Sequence, residues 1–311
     1  MEDSSGRGVL RNAPLISVLV VNYNGRAQLE RCLPALAAQT HPSYEVILVD
    51  NASTDDSVAW LAAHYPSVRV IKSPENLGFA AGNNLGIRAA RGRYIATLNN
   101  DTVPEREYLV RLVEPMRDPL VGSVAALMLR FDSPSRIDSA GIRVDALGFA
   151  WNRRAGEPEL AVTGESEVWG ACAGAALYRR AMLDEIGLFD EGFFAFYEDV
   201  DLAWRARRAG WECVLAPEAR VLHVHGASFH HGSPRKLYLL ARNRWWTLFK
   251  NTPRRTLAPA LPFILLADVA ALAFSLARYR SLAPLKGRIA AWLKPMPQTE
   301  LPALRGRGEK D

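Results

Sequence analysis

Only three cysteines, Cys32, Cys172 and Cys213, occur in 311 residues, and they stand far apart. An odd, scattered set builds neither a disulfide framework nor a zinc site. A reducing, cytosolic setting is therefore expected, with the thiols buried as small apolar groups. No apolar run follows the polar start Met1-Glu-Asp-Ser-Ser-Gly-Arg-Gly, so no secretory signal is expected. There is no G-x-G-x-x-G after the first strand-like run and no Walker A lysine, which argues against a dehydrogenase or a P-loop enzyme. What the chain does have is 49% hydrophobic residues, enough to bury a large core. One large domain with an appendage is the natural organisation for that length.

Charge is divided unevenly along the chain. From His230 onward there are fifteen Lys and Arg against four Asp and Glu, a balance of +11. The residues before it carry 23 basic against 29 acidic groups, a balance of −6. A basic, apolar rear suits either nucleic acid or an anionic membrane surface.

Residues 1–13 read as a disordered tail. Short apolar, β-branched runs at 16–21, 46–49, 68–71 and 94–98 predict buried strands, and helical patterns separate them at 29–37, 58–64 and 79–90. Each strand ends in a polar cluster, such as Asn22-Tyr23-Asn24-Gly25 or Asn99-Asn100-Asp101. Alternation of this kind predicts an α/β fold with a mostly parallel sheet, and ligands of such sheets sit outside the carboxyl ends of the strands. Beyond residue 121 the alternation loosens. A strand is expected at 124–129, irregular structure at 133–158, and a strand-like, small-residue segment at 168–178 that is either a packing seam or a close approach to ligand. Two further strands are expected at 213–216 and 219–228.

The densest chemistry lies at Glu198-Asp199-Val200-Asp201, which follows an aromatic run and opens an amphipathic pattern stopped by Gly210. Acids there either cap a helix N-terminus or do catalysis. A second acidic point, Asp101, stands just past a strand end. It either shapes a turn or holds a hard divalent cation that clamps a diphosphate. His223 and His225 alternate along a strand-like segment, and one of the two is a candidate to complete such a site.

Taken in order, SVLVVNYNG (17–25), VDNASTDDS (49–57), NLGFAAGNNLG (76–86), LNNDT (98–102), GACAG (170–174), EDVDL (198–202) and His223 with Gly226 and Ser228 resemble the inverting GT-A glycosyltransferases of family 2. The likeness is strongest to the bacterial rhamnosyltransferase-like members that build polysaccharide on lipid carriers, and it spans residues 17 to about 230. It implies a GT-A domain over 14–230 and a nucleotide-diphosphate sugar donor. Tyr23 is then expected against the base and Asp50 on the base or ribose. Asn76 and Asn84 lie near the nucleotide edge or pack the loop. Asn99-Asn100-Asp101 occupies the family's D-x-D position, with Asp101 a ligand for Mn²⁺ or Mg²⁺. His223, ranked above His225, is the second ligand. Asp199 matches the general base, Glu198 and Gly174 fall on the acceptor side, and Asp201 caps the helix. Asn99 departs from the Asp that many members carry, so the metal site would lean on Asp101, His223 and the donor's own phosphates. That departure also occurs in rhamnosyltransferase-like members and favours dTDP-rhamnose as donor. A UDP-hexose or UDP-galactofuranose is the alternative, and a catalytically inactive scaffold a remote one.

The rear segment 231–311 is expected to be helical. Tyr238, Ala241, Trp245 and Leu248 make one apolar stripe over residues 235–250, and residues 257–277 carry a single charge, Asp268. Twenty-one residues is about the span of a bilayer, but a central Asp costs roughly 2.5–3.5 kcal/mol to insert. With the nucleotide-sugar site cytosolic, one span would also put the basic segment after 278 outside, against the positive-inside tendency. Peripheral association with the anionic inner face of the cell membrane is expected instead, with a true span and a soluble helical cap or dimer surface as the alternatives. The acceptor implied is lipid-linked or a glycan, nucleic acid is not expected as a partner, and oligomeric state is left open.

Overall fold

The computed structural model describes residues 15–162, 164, 166–224 and 232–294. The expected tail at 1–13, His225, Gly226, Ser228 and the basic end beyond 294 lie outside the described residues.

The first half alternates as its hydrophobic pattern predicts: β1 (Ile16–Asn22), α1 (Arg26–Ala37), β2 (Tyr44–Asp50), α2 (Ser57–His64), β3 (Arg69–Lys72), α3 (Gly78–Ala89) and β4 (Tyr94–Leu98). Then come β5 (Thr102–Pro104), α4 (Tyr108–Val113), β6 (Val121–Arg130), β7 (Ser133–Ser139), the hairpin β8 (Ile142–Val144) and β9 (Ala150–Asn152), and β10 (Ser166–Glu167). The chain continues through β11 (Ala175–Arg179), α5 (Arg180–Ile186), α6 (Glu198–Arg208) and β12 (Glu212–His223). It ends in α7 (Pro234–Asn251), α8 (Arg254–Tyr279) and α9 (Ala283–Leu293).

Strands β3, β2, β1 and β4 run parallel, in that order. Antiparallel β11 joins β4 to β6, and β12 returns parallel to β6. Side chains alternate across β1. Leu19 points into a core with α3 and α5, while Val18 and Val20 point into one with α1, α2 and α4. The central sheet is thus covered on both faces, as its unbroken apolar strands require.

The second half departs from the sequence reading in three places. Only 175–178 of the 168–178 segment is strand, the start of β11, because small residues 170–174 form a loop beside the sheet end. The stretch 133–158, expected to be irregular, contains β7 and the β8–β9 hairpin. The two strands expected after 212 are one strand, β12, with a register shift between Ala216 and Arg220. A third hydrophobic cluster gathers Ile142 of the hairpin, Phe193, Tyr197 and Val200 beside α6, and Trp245, Trp246, Ile264 and Ala291 of the last three helices.

Candidate active site

The loops after β1, β2 and β4 are zipped together at the carboxyl edge of the sheet. Asn22 donates from Nδ2 to Ser57 Oγ at 3.0 Å and accepts at Oδ1 from Asn100 Nδ2 at 2.8 Å. Asn24, in the left-handed region at φ 50°, accepts from the Thr54 backbone N–H at 2.7 Å. Asn51 donates to Asn76 Oδ1 at 3.1 Å and to the Gly78 carbonyl at 2.9 Å, and accepts from Leu77 N–H. Asn is the residue that can do this, with donor and acceptor on one short side chain. A cavity of about 660 Å³ opens over these loops. Tyr23, Asn51 and Asn76 line it together with Asn99, Asn100 and Asp101, and also with Gly174, Glu198, Asp199 and His223.

Sheet register builds the centre of the site. Antiparallel pairing of β5 with the end of β12 sets His223 opposite Thr102, next to Asp101. His223 Nε2 lies 3.3 Å from Asp101 Oδ1, and its Nδ1 lies 2.8 Å from Asp138 Oδ2 at the end of β7. Burial alone would pull the imidazole down, but Asp101 and Asp138 outweigh it and lift its pKa to about 9. Asp101 Oδ1 is buried, and apart from the His223 ring nitrogen it meets no hydrogen-bond donor among the described residues. Once the Nε2 proton is given up, the Asp101 carboxylate oxygen and the His223 imidazole nitrogen that face each other form a ligand pair that fits a divalent cation such as Mn²⁺. The second carboxylate, on Nδ1, is the usual outer partner of a metal-binding histidine. No group of three such ligand side chains gathers among the described residues, so a cation there would draw further oxygens from the donor.

The acidic pair sits at the start of α6, after three non-glycine residues in the left-handed region: Phe194 (φ 65°), Phe196 (φ 68°) and Tyr197 (φ 71°). Such residues persist only where surrounding structure holds them. From one side, Phe79 N–H and Ala80 N–H of α3 donate to the Phe194 carbonyl at 2.6 and 3.2 Å. From the other, Asn243 of α7, fully buried, reaches the carbonyls of Phe193, Ala195 and Phe196 with Nδ2 at 3.0, 2.9 and 2.7 Å. Gly78 allows the approach: its φ is +81°, and a Cβ there would stand 2.5 Å from the Phe194 oxygen.

Asp199 accepts from the Ala173 N–H at 3.2 Å and the Val200 N–H at 2.8 Å. Burial raises its pKa against those two bonds. Glu198 is pushed much further up, by burial first and then by the Asp199 charge, and its Oε2 has no partner among the described residues. Of the two, Glu198 is the more readily protonated, and Asp199, with its backbone donors, is the better placed to carry the pair's charge.

Several expected residues stand elsewhere. Asp50, the last residue of β2, does not line the cavity; its carboxylate accepts from Ser53 N–H at 3.3 Å, and Asn51 takes the wall position. Asn84 takes the packing alternative: it is buried in α3's packing face, with both ends of its amide committed to Phe189 and with Glu191 as a further acceptor, and it does not line the cavity. Asp201 is no cap. It is buried and accepts from Arg205 at 2.9 Å, Asn251 at 2.8 Å and Lys250 at 3.1 Å, tying α6 to α7. Asn51, Asp138, Asn243 and Trp151 of the hairpin were not anticipated. Asn51 lies inside a quoted motif beside Asp50, whereas the others reach the site through long-range pairing that leaves no local signal.

The sequence model of Glycosyl transferase family 2 matches residues 17–187. The chain belongs to that family. Among curated proteins, this glycosyltransferase is 28% identical to the N-acetylglucosaminyl-diphospho-decaprenol L-rhamnosyltransferase of Mycobacterium tuberculosis, over 75% of this chain and 86% of that protein. It is 29% identical to the pre-mycofactocin glycosyltransferase of the same organism, over 72% of this chain and 45% of the other. Among solved structures it shares its fold with a Pyrobaculum calidifontis mannosyltransferase in complex with GDP-Man and Mn²⁺ (TM-score 0.56, 20% identity, 91% of this chain and 88% of that one). It also resembles GalNAc-T7 with UDP, GalNAc and Mn²⁺ (TM-score 0.63, 18% identity, 77% and 48%). The glycosyltransferase therefore has the GT-A fold, with a long apolar C-terminal helix added to it.

Proposed function

We propose that this glycosyltransferase moves a sugar, with inversion, from a nucleoside-diphosphate donor to a lipid-linked glycan acceptor of the cell envelope, with dTDP-rhamnose the favoured donor. The observation that carries the reading is the Asp199 carboxylate, held by the Ala173 and Val200 N–H groups in the same cavity as the Asp101–His223 pair. Asp199 takes the proton of the acceptor hydroxyl as its oxygen attacks the anomeric carbon from the face opposite the departing diphosphate. Glu198, holding its proton, keeps a second negative charge away from that oxygen. Asn99 and Asn100 offer amides to the donor's ribose, and Tyr23, 51% exposed at the rim, offers its ring to the base. Asp101 and His223 would hold Mn²⁺ or Mg²⁺, which neutralises charge on a leaving diphosphate. The rhamnosyltransferase relative supports rhamnose as the sugar and a lipid-linked acceptor.

We further infer that the enzyme lies on the inner face of the membrane. Helix α8 buries one stripe, Ile264, Asp268 and Ser275, and exposes Phe263, Leu266, Val269 and Phe274. Asp268, a penalty for any span, is matched by Arg244 at 2.8 Å, Trp245 Nε1 at 2.6 Å and Arg288 at 2.7 Å. A spanning helix would have to leave those partners.

A thermal-shift screen of nucleotide sugars with and without Mn²⁺ tests the donor. dTDP-rhamnose should raise the melting temperature more with Mn²⁺ than without, and the Asp101→Ala protein should lose that difference. A larger response to a UDP-sugar would reassign the donor, and a metal-independent response would remove the cation from Asp101.

A further inference from the structure

We propose that Trp151 is the stacking platform for the acceptor's sugar ring, a pyranose whose apolar face lies on the indole. This rests on the glycosyltransfer reading above and names the acceptor half of that site. Trp151 is 44% exposed and lines the cavity that holds Asp199. A singly exposed aromatic needs no explanation in general. This one is held rigid at a catalytic cavity. Its ring stacks on Phe149, with centroids 5.9 Å apart and planes at 29°, and the Arg143 guanidinium lies 5.1 Å from its centroid. Its indole N–H has no hydrogen-bond partner among the described residues and is free to meet a hydroxyl.

The hairpin carrying Trp151 is fastened to the base. Asp145 Oδ1 accepts from the N–H groups of Leu147 and Phe149 and closes the turn. Tyr197, two residues before Asp199, accepts at its hydroxyl from Ala150 N–H at 3.2 Å and donates to the Gly148 carbonyl at 3.3 Å. At the hairpin's base, Ile142 N–H donates to the Gly170 carbonyl at 2.8 Å, three residues before the Ala173 that bonds Asp199. The ring bearing the attacking hydroxyl must lie beside Asp199, in the cavity that Trp151 also lines. The loops after β1, β2 and β3 line the same cavity with Tyr23, Asn51 and Asn76. Axial C–H groups of a pyranose meet the electron-rich face of an indole favourably, whereas a flexible aliphatic side chain offers no such face.

Two measurements on the full chain test this. Saturation-transfer NMR with methyl N-acetylglucosaminide, in the presence of UDP or dTDP and Mn²⁺, should show ring protons of one sugar face on the wild type. Trp151→Phe should keep that signal and Trp151→Ala should lose it, while calorimetric affinity for the nucleotide stays the same in all three. A wild type without the signal, or an Ala variant with an undiminished one, overturns the platform. In turnover with lipid-linked N-acetylglucosamine diphosphate, Trp151→Ala should raise the acceptor KM about tenfold and leave the donor KM alone. If the wild type transfers no sugar from any nucleotide donor, the glycosyltransfer reading fails, and the NMR comparison still decides the fate of the indole.

Discussion

Asp199 and Glu198 are neighbours in sequence with opposite duties, and the difference between them is a matter of two backbone N–H groups. Ala173 and Val200 donate to Asp199, while Glu198 Oε2 has no donor among the described residues. In a site of low dielectric, two adjacent carboxylates do not both ionise at little cost, so the proton favours the one with fewer donors. Both pKa values lie above the ordinary carboxylate range, Glu198 the further of the two. As pH falls, Glu198 takes a proton first and Asp199 second, and turnover is lost at the second step. The acid limb of kcat should therefore lie above the usual ~4 for a carboxylate. Asp199→Asn should lower kcat by about 10²–10⁴ while nucleotide affinity is kept. Glu198→Gln, which mimics the protonated state, should leave the acid limb in place. A pH profile in which Glu198→Gln abolishes the limb would move the base to Glu198.

The loop 193–197 shows why elements far from the reaction matter to it. Left-handed conformations at Phe194, Phe196 and Tyr197 each cost of order 1–3 kcal/mol, and the Asn243 amide on three carbonyls offsets much of that. Asn243→Ala should lower stability by about 1–3 kcal/mol and reduce kcat more than it changes either KM, because the binding walls remain. Equal kcat in a destabilised variant would mean the loop is set by α3 alone. None of this was legible beforehand. The repeating strand–helix units and the acidic start of α6 were, because apolar period and local motif reveal them; the pairing of Asp101 with His223, rather than His225, came only from the family resemblance. Asn243 sits in an aromatic, basic helix whose contacts lie some fifty residues away, and nothing local distinguishes it from a solvated polar residue. Asp138 reaches His223 only through the shifted register of β6 and β7. Asp201 read as a cap because helix starts favour acids. Its true partners, Arg205, Lys250 and Asn251, are a matter of tertiary packing.

At the scale of the whole molecule, α7 connects two surfaces. One side holds the catalytic loop through Asn243 and Lys250, and Arg244 and Trp245 hold α8 through Asp268. The sequence presents Asp268 as a flaw in a membrane-length helix. The structure makes it the point that fixes which stripe of α8 faces the protein and leaves the apolar remainder outward. Burying one exposed Leu or Phe in lipid is worth roughly 1.5–3 kcal/mol, so Leu266→Glu should weaken binding to anionic vesicles at least tenfold. Added salt should weaken it further through the basic groups without abolishing it. Turnover on a soluble glycoside acceptor should be unchanged, because Leu266 points away from the third cluster. Bound enzyme should be released by alkaline carbonate, as a helix lying in the interface would be. Retention in the membrane pellet after carbonate would instead show that α8 leaves Asp268's partners and spans the bilayer.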